Sequence, residues 1–147
     1  MKLKILLLVI PAVSICAAAS SAYGHHSHPL FYDSCKTVTV EGKVESAEWK
    51  NPHVLIVIKL DDGTTYTAEW TSLQGLTNHG VNGPAQAALM PGARVAATGN
   101  PMRDPAQIRA SFPSMDEIKN TKVLDLNRIR RTDGSWTWAQ DPPPCNK

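Results

Sequence analysis

The sequence predicts a mainly β protein: a small five-stranded OB-like barrel with one or two short helices. Three observations lead there. Apolar side chains recur with period two over much of the stretch from residue 38 to residue 99. Two turn signals, Asp61-Asp62-Gly63 and Thr132-Asp133-Gly134, each separate a pair of strand-like runs. Helical patterns fall between the third and fourth strands, as in an OB-type barrel. A β-sandwich is the alternative, and it would want more strands.

Residues 1–24 read as a cleavable secretory signal. Lys2 and Lys4 give the positive start, residues 5–10 and 12–19 the apolar stretch, and small residues lead to a cut after either Ala22 or Gly24. The unbroken apolar run is well short of the ~20 residues that cross a bilayer, so no membrane span is expected in the mature protein. Cys16 does not suit a lipid anchor, because bulky Ile15 stands where such cut sites take a small residue. The expected location is periplasmic or secreted.

A His-rich leader, residues 25–36, precedes a barrel domain over residues 37–140. In the first strand Val38, Val40, Gly42 and Val44 alternate with polar residues, and Gly42 signals a bend or a close backbone approach. The phase then slips to Ala47 and Trp49, as a β-bulge would cause. Asn51-Pro52 ends the run. A nearly continuous apolar strand follows from His53 to Leu60, and after the hairpin Tyr66, Ala68 and Trp70 share a face. Ser72 suits the cap of a helix carrying Leu73 and Leu76, and residues 85–89 form a second helical candidate after Pro84. A turn at Pro91-Gly92 introduces a fourth strand, residues 94–99. Residues 100–121 read as irregular, with Ser114 capping one short helix. Residues 123–131 and 135–139 form a closing hairpin. The tail, residues 141–147, opens with Asp141 and three prolines, which cannot be helical.

Removing the signal leaves thirteen basic side chains against thirteen acidic ones. A neutral chain has no positive excess to displace phosphate counterions, which excludes a nucleic-acid partner. Two cysteines remain, Cys35 and Cys145, and in an oxidising compartment an isolated pair is most simply a disulfide.

Three of the five histidines stand in His25-His26-Ser27-His28; the others are His53 and His79. Imidazole is the commonest metal ligand. With a cut after Gly24, the free amine and imidazole of His25 can chelate one ion together, a nitrogen set that suits Cu(II). A cut after Ala22 gives Tyr23-Gly24-His25, whose amine, amides and imidazole suit square-planar Cu(II) or Ni(II). A folded site needs a further ligand, and His53 is the best placed. The candidate metal residues are therefore His25, His26, His28 and His53, with copper as the possible cofactor and no cofactor as the plain alternative.

His25-His26-Ser27 after a signal, Asp33, Gly42-Lys43-Val44, Trp49-Lys50-Asn51-Pro52-His53-Val54, Leu76 with Gly80, and Leu89-Met90-Pro91-Gly92 with Gly99 recur in that order in similar proteins. The chain thereby resembles a family of small exported bacterial proteins classed as a domain of unknown function. The resemblance covers about residues 25–100 and departs afterwards, and Val81 stands where an aromatic is common. It implies export and an OB-like fold, and it brings no activity.

Trp136 and Trp138, at i and i+2, could form an exposed stacking platform for a ligand, while Trp49 and Trp70 suit the core. Arg128, Arg130 and Arg131 read as a solvated face balanced by Asp125 and Asp133. Glu48 near His53 is a weak acid–base candidate. No nucleophile elbow, zinc-protease or phosphate-loop motif is present. The expected function is binding or accessory work in the cell envelope, with a transition metal at the His cluster. A metal-free OB module for a small molecule, glycan or protein partner is the second class, and a copper oxidase or monooxygenase with an amino-terminal histidine brace the third.

Overall fold

The computed structural model describes residues 28–111 and 120–145, apart from the His28 side chain. The signal segment with its two cut sites, His25, His26 and the helix capped by Ser114 lie outside the described residues.

The elements are α1 (His28–Phe31), β1 (Val38–Glu48), β2 (Leu55–Lys59), β3 (Thr65–Glu69), α2 (Leu73–Asn78), α3 (Asn82–Ala88), β4 (Arg94–Pro101), α4 (Pro105–Ser111), β5 (Val123–Arg131) and β6 (Thr137–Ala139). The sheet runs β3-β2-β1-β4-β5-β6, and a parallel β3–β5 pairing closes the first five strands into a barrel. This is the OB order, with β1 shared between β2 and β4.

Period-two patterning settles which faces are inside. Val40, Val44, Val54, Ile56, Ile58, Ala68, Trp70, Val95 and Ala97 form the core with Leu124, Leu126 and Ile129. Val38, Trp49, Leu60 and Tyr66 pack on its margin. The expected bulge lies between Val44 and Ser46, where the β1–β2 register shifts. It returns Ala47 to the side of the core and lets β1 turn between two neighbours. Gly42 is the expected close approach, since a Cβ there would strike the Lys59 carbonyl.

Ser72 caps α2, its hydroxyl accepting from the Gly75 N–H at 3.0 Å. Together α2 and α3 place Leu76, Ala85, Ala88 and Leu89 over one end of the core. Residues 100–111 are more ordered than expected. β4 extends to Pro101, and α4 buries Ile108. The Asp104 carboxylate accepts from the Ala106 N–H at 2.7 Å, an N-cap interaction, and Pro105 occupies the first helical position.

Candidate functional site

The site forms where β3 meets β5 at the barrel mouth. His53 lies two residues before Leu55, whose cross-strand partner is Glu69, so His53 and Glu69 share a face. Past the ladder, the Trp70 N–H donates to the Val54 carbonyl at 2.8 Å and the Val54 N–H to the Thr71 carbonyl at 3.2 Å. These bonds hold the residue after His53 firmly against β3. His53 Nδ1 then pairs with one Glu69 oxygen.

The other Glu69 oxygen accepts from the Tyr32 hydroxyl. Tyr32 belongs to the leader, is buried, and forms an antiparallel bridge with Met102 just past β4. Burial raises its hydroxyl far above the usual tyrosine range, helped by the Glu69 hydrogen bond and by the charges of Glu69 and Asp125. Asp125 is the parallel partner of Glu69 on β5 and is itself buried. Gly99 makes that placement possible: a Cβ there would collide with the Asp125 carbonyl, at the point where the β4–β5 register shifts.

An open cleft of about 440 Å³ runs past this cluster, lined by Pro52, His53, Thr71, Ser72, Asp125, Gln140, Asp141 and Pro143. Its described lining carries two carboxylates and one imidazole, with no lysine or arginine. Such a wall attracts cations and repels anions. Among the described residues no three His, Cys, Asp or Glu side chains gather closely enough to hold an ion. Of the candidate metal residues, His53 lies in the cleft, whereas His25, His26 and the His28 side chain lie outside the described residues.

Cys35 and Cys145 are bonded, with Cα atoms 4.6 Å apart. The bridge joins the leader to the Pro-rich tail, and that tail contributes Asp141 and Pro143 to the cleft.

Other candidates fall differently. Glu48 is exposed and ion-paired with Lys50, so the carboxylate on His53 is Glu69 instead. Asp125 faces the cleft rather than balancing the arginine face, and Arg131 pairs with Asp133 at 2.8 Å. Trp136 and Trp138 are half-buried, not exposed. They meet the buried Trp70 edge-on, with ring centroids 6.4 and 4.6 Å away, because tilted aromatic contacts draw the rings onto it. A second concavity of about 530 Å³ lies between the β1 bulge and α3, lined by Ala47, Trp49, Ala87, Leu89 and Met90 among others. Its lining contains no titratable side chain.

Sequence reading missed Tyr32, Glu69 and Asp125. Glu69 and Asp125 sit at polar positions of strands, where a carboxylate normally faces water. What partners Glu69 is Tyr32, from a leader whose docking no local pattern announces. No helix among the described residues is long and apolar enough to cross a membrane. Residues 12–109 match a family of unknown function, DUF6152. No curated protein matches the chain.

Proposed function

The chain belongs to DUF6152, a family of unknown function from which it inherits no activity, and we propose from the site's own chemistry that it is an exported transition-metal-binding protein of the cell envelope. Copper is the metal, held by the amino-terminal His25, His26 and His28 together with His53. The observation that carries this reading is the double grip of Glu69 on His53 and Tyr32.

Histidines that ligate metals usually donate their other ring N–H to a carboxylate, which fixes the tautomer and makes the ring a better donor. Glu69 is such a carboxylate, and it directs Nε2 of His53 as the ligating atom. The same carboxylate anchors the leader through Tyr32. His28, in α1, is four residues upstream of Tyr32 and His25 seven, so the leader histidines are close along the chain to the residue that shares the Glu69 carboxylate with His53. The acidic cleft wall adds electrostatic attraction for a cation. The Cys35–Cys145 bond agrees with export to an oxidising compartment.

The test is Cu(II) titration of signal-free protein beginning at His25, compared with His53→Ala and with one extra amino-terminal glycine. Both changes weaken binding if His53 and the His25 amine are ligands. Loss in the extended form alone means a terminal chelate without the folded site. Loss in neither refutes the metal reading.

A further inference from the structure

The cleft has one wall that the barrel itself does not hold. Asp141 and Pro143 line it from the tail. The last tie of that strand to the barrel is Gln140, whose backbone N–H donates to the Asn127 carbonyl at 2.9 Å. Beyond it, residues 142–144 are prolines with no N–H to donate. Among the described residues no hydrogen bond or ion pair fastens residues 141–145; what fastens them is the sulfur bridge to Cys35.

The other end of that bridge is fixed independently. The Asp33 N–H donates to the Pro101 carbonyl at 2.9 Å, the Arg103 N–H to the Phe31 carbonyl at 2.8 Å, and the Asn100 amide to the Lys36 carbonyl at 2.7 Å. Cys35 thus stands on an anchored segment and Cys145 on a tethered one. Both cysteines are exposed, so a thiolate in solution can reach the bond.

We infer that the Cys35–Cys145 disulfide is a redox latch on the His53 cleft, opened by a dithiol reductant, which frees residues 141–145 and uncovers His53 and Asp125. One thiolate of the reductant attacks a sulfur of the bridge, forming a mixed disulfide and expelling the other cysteine as a thiolate, which takes up a proton. The second thiol of the reductant then displaces the remaining cysteine. Two electrons and two protons pass to the protein, and the reductant leaves as its own disulfide. The barrel and the Glu69 contacts are untouched, because none runs through the tail. The latch governs access whatever occupies the cleft, so it goes beyond the copper reading.

The test uses metal-free mature protein and follows carbethoxylation of His53 by diethyl pyrocarbonate, mapped by peptide mass. His79, exposed at the end of α2, is the internal reference. Oxidised protein is compared with dithiothreitol-reduced protein and with Cys145→Ser. The expected result is severalfold faster modification of His53 relative to His79 in both opened forms, an unchanged far-ultraviolet dichroism spectrum, and a return to the slow rate on reoxidation. A Cys35→Ser chain ending at Gln140 should react as fast as the reduced form. An unchanged His53 rate in the opened forms overturns the latch, and so does a slow rate in the chain lacking the tail. A rise accompanied by loss of the barrel spectrum also overturns it, since a latch moves the tail alone. Copper affinity enters none of these outcomes.

Discussion

The leader and the tail both lie outside the barrel, end on the same disulfide and border the same site, yet they are held by opposite means. Around Tyr32 the leader is built into the fold by burial, a carboxylate partner and several backbone hydrogen bonds. The tail is exposed along most of its length and depends on a covalent bond. Fixity therefore does not follow from position in the chain. A terminal segment becomes part of the core when it offers backbone donors and one large side chain with a polar end. A run of prolines offers neither.

The largest effect expected from this contrast is at Tyr32. Tyr32→Ala should destabilise by about 3–5 kcal/mol, as for a truncated buried aromatic, and match Ile56→Ala in the barrel, for which 2–5 kcal/mol is usual. Urea midpoints at an unchanged slope measure both. If Tyr32→Ala costs only a few tenths of a kcal/mol, the leader is no more integral than the tail.

Alkaline pH sharpens the same point. The folded pKa of Tyr32 is raised above its unfolded value, so its contribution is complete below the ordinary tyrosine range and declines as pH rises beyond it. Above pH ~10 the unfolded chain ionises while the folded one does not, a loss of about 1.4 kcal/mol per pH unit. Stability of the wild-type protein measured against Tyr32→Phe should diverge with that slope, and parallel curves would remove Tyr32 from the account.

The smallest effect is expected where the covalent bond is. Loop closure by a bridge spanning 110 residues has a ceiling of roughly 4–5 kcal/mol. Cys145→Ser should fall well below that ceiling, because the released tail regains conformational freedom in the native state. A loss at the ceiling would mean that the tail stays in place without its bond, breaking the comparison with the leader.

The barrel was legible because alternation, the Gly42 approach, the bulge and the turns all act locally, and each leaves a mark within a few residues. The Cys35–Cys145 pairing was legible by elimination, and His53 by its place after Asn51-Pro52. The rest of the site was not, for a physical reason. Glu69 and Asp125 have the pattern of solvent-facing strand residues, and what changes their environment is Tyr32, docked from far along the chain. α4 is a different case. Asp104 followed by Pro105 is a helix-start signal within reach of sequence reading, but it stands in a stretch that otherwise lacks clear periodicity. For Trp136 and Trp138, spacing told which residues share a face but not that Trp70 would draw that face inward.

The parallel seam between β3 and β5 has a consequence for how the protein comes into being. It pairs Thr67, Ala68 and Glu69 with Val123, Leu124 and Asp125, segments separated by three described helices and a whole strand. Such distant pairings are slow to find, and a chain emerging amino-terminus first has no β5 to find until most of it is out. Until then the β1–β3 meander is an open sheet with its apolar face uncovered, the state most exposed to aggregation. Glu69 and Asp125 are themselves a pair in this seam. Zipping it shut and bringing the two carboxylates together are one event, so a half-folded chain lacks the acidic cleft wall.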